Sequence, residues 1–322
     1  MAYTDVNLGG ARKATLALFG VTLLWGGTFI WMQQSLDAAE LALPNASQNE
    51  IATFFVMMRF VIAAAMLVLI LPRARKGFVD KEVWKGGAWL GLIVWGGFLL
   101  QMIGLTEVTP AVSAFLTSLY VVFTALIGVA LGHQKLTKYA IAGVLLATFG
   151  AGWISGPPQV EFGVGEWLTV CCAFLFGAHI IVTDRVTKIV DPIQVTATML
   201  VTVAGLSTVT YLVFAFDTVS EFFGLLMNLD FLLPLLCCAI LGSLVALLVL
   251  NIFQKEVAPV RAAILYALEP VWAMVGSLLL GLEGGVTYWL PIGAAALLIG
   301  NLVVEFDQIS TTESLDLLED NS

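Results

Sequence analysis

The sequence predicts an all-α integral membrane protein of ten transmembrane helices, arranged as two five-helix repeats inserted in opposite orientations, with both termini cytoplasmic. Three observations predict it: an excess of apolar residues, a one-sided distribution of basic residues, and an internal repeat. The 322 residues are 60% hydrophobic and 11% charged, against roughly 45–50% apolar and about 25% charged in a soluble domain. One soluble core cannot hide so much apolar surface. The net charge of −9 does not signal a basic or nucleic-acid partner, because the acids gather outside the apolar segments, above all between Glu313 and Asp320.

Crossing about 30 Å of hydrocarbon takes about 20 predominantly apolar residues. Ten segments qualify: 14–34, 51–72, 86–106, 110–131, 138–155, 163–183, 192–215, 231–253, 259–281 and 287–305. The first follows Arg12-Lys13, and its apolar run is too long for the core of a signal peptide, so it reads as a retained span. The separators are short and carry helix-stop chemistry, as in Pro72-Arg73-Ala74-Arg75-Lys76 and Ser155-Gly156-Pro157-Pro158. The chain thus divides into a cytoplasmic N-terminus (1–13), a first repeat (14–155), an outward linker (156–162), a second repeat (163–305) and an acidic cytoplasmic tail (306–322).

Basic loops stay cytoplasmic. Of the 14 Lys and Arg, all but Arg59 fall on one side of this arrangement, and the opposite loops hold acids such as Asp37, Glu40, Glu161, Asp217 and Asp230. A wrongly split or merged helix would have broken that alternation.

Overlaying 107–132 on 256–281 without gaps pairs Glu107/Glu256, Val108/Val257, Pro110/Pro259, Ala114/Ala263, Leu116/Leu265, Leu119/Leu268, Val122/Val271, Leu131/Leu280 and Gly132/Gly281. Apolar matches are common between membrane helices, but a Glu-Val-x-Pro opening and a Leu-Gly close at one fixed distance are not. Gly143/Gly293 and Gly150/Gly300 extend the overlay after one inserted residue. Each half makes five crossings, an odd number, so the second half enters the membrane from the opposite side. Inverted repeats of this kind place a substrate site near the bilayer midplane in many secondary transporters.

These residues resemble the EamA-type branch of the drug/metabolite transporter superfamily over roughly 14–305. The likeness lies in Leu24-Trp25-Gly26-Gly27-Thr28-Phe29, Arg59-Phe60 and Thr109-Pro110-Ala111, and again in Asn251-Ile252-Phe253-Gln254-Lys255, Pro259-Val260-Arg261-Ala262-Ala263 and Leu268-Glu269-Pro270-Val271. It implies a ten-helix carrier in the cell membrane that moves, and often exports, amino acids, other metabolites or drugs by alternating access. The chain departs from that pattern at His133, where the family's first repeat usually has Glu, and in a stretch at 35–50 that reads as a long loop.

Ten residues beyond Pro110 and Pro259, at about 1.5 Å each, segments 4 and 9 reach mid-bilayer at Tyr120 and Glu269, with Thr117 and Tyr266 one turn earlier. Each segment offers two polar groups on one face, which suits a shared cavity; hydroxyls bonding backbone carbonyls between helices would leave the same pattern. A carboxylate at helix centre costs about 2.5–3.5 kcal/mol even on insertion scales, so Glu269 calls for a partner, water or a proton. Arg59 lies at similar depth. The two interact in at least one state, with Glu269 taking a proton when the solute leaves; a permanent structural ion pair, or Arg59 reaching to the outer headgroups while Glu269 bonds a neighbouring hydroxyl, fits the same sequence. Trp25-Gly26-Gly27-Thr28 aligns with Phe176-Gly177-Ala178-His179, which puts Thr28 and His179 at equivalent places, His179 as a substrate contact or a solvated cap. Gln101, Asn251, Gln254, Trp95 and Trp272 complete the pathway candidates.

The adjacent pairs Cys171-Cys172 and Cys237-Cys238 point about 100° apart on a helix, which does not converge on a metal. No phosphate-cradling loop is present, so neither metal, nucleotide nor covalent cofactor is expected. The partners expected are a small organic solute and the lipid bilayer; monomer and homodimer both remain open. An intramembrane enzyme lacks a convincing acid/base or nucleophile motif, and a channel or interaction protein lacks a charged ring.

Overall fold

The computed structural model describes residues 8–131, 137–153, 157, 162–215, 219–281 and 288–303. The expectations for His133, for most of the 156–162 linker and for the 306–322 tail fall outside these residues. Among the described residues the secondary structure is helical throughout. We label the main helices α1 (Leu8–Ala42), α2 (Gln48–Ile70), α3 (Lys81–Leu105), α4 (Pro110–Ser118 with Tyr120–Ala130), α5 (Lys138–Trp153), α6 (Val164–Val186), α7 (Pro192–Ala215), α8 (Leu229–Cys237, Cys238–Val245 and Ala246–Phe253), α9 (Pro259–Tyr266 with Glu269–Leu279) and α10 (Trp289–Val303). Eight of them are long and apolar enough to cross a membrane; α5 and α10 are shorter.

The 35–50 stretch is not a long loop. α1 continues for 35 residues to Ala42, about 52 Å at 1.5 Å per residue, well beyond the hydrocarbon thickness. Its polar end is supported by a bond from Gln33 Nε2 to Asp37 Oδ1, 2.7 Å long. A capping box then starts α2: the Glu50 N–H donates to Ser47 Oγ and the Ser47 N–H to the Glu50 carboxylate. The Ser-x-x-Glu spelling is the sequence form of that box.

α4 and α9 are each interrupted, at Leu119 and at Ala267-Leu268. There the helix tightens, with the Leu119 N–H bonded to the Leu116 carbonyl and the Leu268 N–H to the Leu265 carbonyl, three residues back rather than four. Both helices open on a proline, whose missing N–H costs nothing at the first helical position, and Thr109 caps the first of them. α8 widens into a π-helical segment at Cys238–Val245, after Pro234.

Packing follows the sequence overlay. α3 lies along α6 and α7, α8 lies along α1 and α2, and α4 against α6 is matched by α9 against α1. Each of these contacts becomes another when the two halves are exchanged. The same exchange relates finer contacts. A Cβ added at Gly26 in α1 would stand 2.8 Å from the Glu269 carbonyl and 2.9 Å from the Ala273 nitrogen; one added at Gly177 in α6 would stand 3.2 Å from the Tyr120 carbonyl and 3.0 Å from the Thr124 nitrogen. Gly150 faces the Gly293 carbonyl, and Gly300 faces the Gly143 carbonyl. Small residues let these backbones approach without a side chain between them.

An aromatic cluster of Phe54, Phe55, Tyr211, Phe222 and Phe231 fills one end of the interior. Outside, Leu69, Leu126, Leu145, Val213 and Leu279 are exposed. An apolar exterior of this extent suits a lipid surrounding.

Candidate functional site

The interrupted helices converge on an internal cavity of about 40 Å³, room for about two or three water molecules. Trp25, Thr28, Gln101, Thr117, Tyr120, His179, Tyr266 and Glu269 line it. These sequence candidates come from α1, α3, α4, α6 and α9. Side chains paired in the sequence overlay, Thr117 with Tyr266 and Tyr120 with Glu269, therefore share one space.

Tyr120 and Glu269, counterparts in the overlay, each begin the second piece of their helix. The Tyr120 hydroxyl donates to Glu269 Oε2 at 3.5 Å, a long bond that leaves the carboxylate most of its hydrogen-bonding capacity. Their equivalents one turn away each take an amide. Gln101 Nε2 donates to Thr117 Oγ1 at 3.3 Å, and the Tyr266 hydroxyl donates to Gln254 Oε1 at 3.2 Å. Gln254 Nε2 continues to the Ile180 carbonyl at 2.6 Å, so that α6, α8 and α9 are tied together. Trp25 lies edge-on to Tyr266 and donates its Nε1–H to the Gly242 carbonyl at 3.0 Å, inside the widened part of α8. The π-helical segment thus serves as a docking point for α1, and Gly242 also abuts the Thr28 methyl.

His179 is neither solvated nor a helix cap. It is buried in the cavity wall with Nε2 3.2 Å from Thr183 Oγ1. Asn251 and Arg59 do not line the cavity. Asn251 points at α7, donating to Thr196 Oγ1 at 2.8 Å. Trp95 and Trp272 also turn away, toward Thr210 and Thr22. Arg59 makes no ion pair with Glu269 in this conformation: its Nε donates to Ser243 Oγ, and its guanidinium lies over Phe98. The shared depth of the two charges is not matched by a shared direction.

The rest of the wall is apolar and includes Val94, Phe98, Phe176, Ile180, Leu247 and Leu250. Apart from Phe176, which aligns with Trp25, the sequence analysis did not single these residues out. Their spacing was the available signal: Val94, Phe98 and Gln101 share one face of α3, and Phe176, His179 and Ile180 one face of α6. The result is an apolar chamber with one carboxylate, two phenols, an amide and an imidazole, suited to holding a small organic molecule by shape and a few directed hydrogen bonds.

Residues 12–156 match the EamA-like transporter family. That match spans just under half of the chain. An uncharacterized transporter of Archaeoglobus fulgidus is 29% identical over 260 residues, covering 81% of this chain and 75% of its own length. A crystal structure of a protein at 19% identity superposes with a TM-score of 0.67 and covers 91% of this chain and 95% of that one; at that identity the likeness speaks for the fold alone. Together with the apolar helices, these likenesses support a multi-pass membrane transporter.

Proposed function

We propose that this EamA-like protein is a secondary active transporter, working as an exporter, of small organic metabolites such as amino acids or related compounds. It passes the solute unchanged through a midplane site by alternating access and uses no metal, nucleotide or covalent cofactor. Ten helices cross the cell membrane as two inverted repeats, 14–155 and 163–305, with both termini cytoplasmic. The observation that carries this reading is the contact between Tyr120 and Glu269. Two positions related by a two-fold exchange of the halves can touch only close to the axis of that exchange. In an inverted repeat that axis lies in the membrane midplane, so the cavity sits where an alternating-access site belongs. A chamber with room for a few waters must widen to admit any metabolite, and the interruptions in α4 and α9 supply hinges on either side of it.

Glu269 is the proton carrier in this scheme. Facing outward it takes a proton as the solute leaves, and facing inward it releases that proton as the next solute binds. Proteoliposomes loaded with unlabelled amino acids or related metabolites should accumulate the labelled solute by saturable counterflow. Flux without counterflow would identify a channel, and a chemically altered solute an enzyme.

A further inference from the structure

Arg59 presents an unmet demand inside the protein. It is 1% exposed. Nε donates to Ser243 Oγ at 2.6 Å, Nη1 faces Met32 Sδ at 3.5 Å, and the guanidinium carbon stands 4.4 Å from the Phe98 ring centroid and 5.7 Å from that of Phe60. Nη2 has no hydrogen-bond partner. A buried cation of this kind is normally paired, because removing it from water without a counter-charge is expensive. A sulfur, a hydroxyl and two aromatic faces meet that need only in part.

The position of Phe98 gives the vacancy a direction. Phe98 is at once the surface on which the guanidinium rests and part of the cavity wall. It packs edge-on against Phe60 behind it and Phe176 beside it, the latter also in the wall. On the other flank, Gly242 lets α8 lie close against the guanidinium, since a Cβ there would meet the Thr28 methyl and come within 3.1 Å of Nη2. One aromatic side chain therefore stands between the free Nη2 and the cavity.

We propose that Arg59 is the anion-binding group of the central site, and that the transported solute carries a single carboxylate which reaches Nη1 and Nη2 when Phe98 swings aside. This rests on the transporter reading and names its substrate class. A carboxylate matches the planar fork of a guanidinium through two parallel bonds. Every other Lys and Arg of the chain lies in the basic loop set, so a phosphate or a dicarboxylate would keep uncompensated charge. The apolar walls take the body of the molecule, and Glu269 faces its other end, which favours a cationic or hydrogen-bond-donating group there.

The test uses the purified full-length chain and two pairs of probes, phenylacetate and 3-phenylpropionate with their uncharged amides, with binding followed by calorimetry. The acids should bind at least about tenfold more tightly than the amides, the scale of a charge-assisted hydrogen bond. Arg59→Met should abolish the preference, and Arg59→Lys should keep only part of it. Should Arg59→Met fail to stay monodisperse, Phe98→Ala decides with the guanidinium intact: it should raise the preference for acids by a further threefold or so. Equal binding of acid and amide to the wild type, binding of neither, or an unchanged preference in Phe98→Ala or in folded Arg59→Met would overturn the assignment. Counterflow run on the same preparations separates the two proposals. Counterflow without acid preference leaves the transporter and removes the Arg59 site; an Arg59-dependent acid preference without counterflow of any solute leaves an anion site and removes the transporter.

Discussion

Gly26 packs so closely against α9 beside Glu269 that adding one methyl group gives a quantitative test of the fold around the site. An alanine Cβ at that position would meet the Glu269 carbonyl at 2.8 Å and the Ala273 nitrogen at 2.9 Å, both backbone atoms that no rotamer change can move. The Trp272 Cβ is nearer still, so restoring ordinary contact takes about 1 Å of separation between α1 and α9, and overpacking of this kind costs about 1–3 kcal/mol. Gly177 is the counterpart in the other half, with the Tyr120 carbonyl at 3.2 Å and the Thr124 nitrogen at 3.0 Å, so Gly177→Ala should fall at the lower end of that range. Gly20 supplies the control: it lies on the same helix as Gly26 with nothing within 4 Å of its added Cβ. Gly20→Ala should be neutral or stabilising by up to about 1 kcal/mol through helix propensity alone. Thermal unfolding of the three variants in one detergent, read by the loss of monodisperse protein, should rank them Gly20→Ala, Gly177→Ala, Gly26→Ala from most to least stable. If Gly26→Ala were as stable as Gly20→Ala, the close approach of α1 to the carboxylate-bearing turn would be wrong, and with it the geometry of the cavity.

Three further outcomes are expected. If one proton crosses per cycle, a gradient of one pH unit supplies about 1.4 kcal/mol and sustains about a tenfold solute gradient; Glu269→Gln should still exchange labelled for unlabelled solute but lose that accumulation, as measured in proteoliposomes with and without an imposed pH gradient. Phe231→Ala removes a ring packed against Phe54 and Phe55 far from the cavity, so it should cost about 3–5 kcal/mol of stability while leaving solute affinity in the surviving folded protein unchanged, which calorimetry checks. Gln254→Leu leaves the Tyr266 hydroxyl and the Ile180 carbonyl without their partner, a loss of about 1–3 kcal/mol, visible as a lowered unfolding temperature and faster counterflow-independent leak.

Eight of the ten predicted segments are helices long and apolar enough to cross a membrane; they were legible because hydropathy measures the property that a bilayer selects. α1 shows where that reading stops: beyond Gln33 its sequence turns polar, and a helix that leaves the membrane carries no hydropathy signal, although the Ser47-to-Glu50 box marked the turn after it. The meeting of Tyr120 and Glu269 in one cavity was legible through residue counting. Counting residues from Pro110 and Pro259 fixed Tyr120 and Glu269 at one level, and helical spacing placed Thr117 and Tyr266 beside them. Depth along a helix does not give the direction around it, which is why Arg59 was paired with Glu269 when it lies behind Phe98, and why Asn251 was placed in the pathway when it bonds Thr196. Phe98 was invisible for a related reason, and Phe176 entered only through its alignment with Trp25. A cavity-facing phenylalanine and a lipid-facing one are the same letter, and only the polar neighbours at helical spacing, Gln101 and His179, distinguish them.

The bond between Tyr120 and Glu269 also says something about why the two halves belong to one chain. In a symmetric pair of identical half-length proteins, the residue at this place would face a copy of itself. Two glutamates in contact would repel or be forced to share a proton, and two tyrosines would leave the axis with no group able to ionise near neutral pH. Joining the halves lets the two positions differ, so that a single acid can stand at the centre with a neutral donor across from it. In the proposed scheme that axis has room for one proton carrier, so coupling routed through it would move at most one proton per turnover.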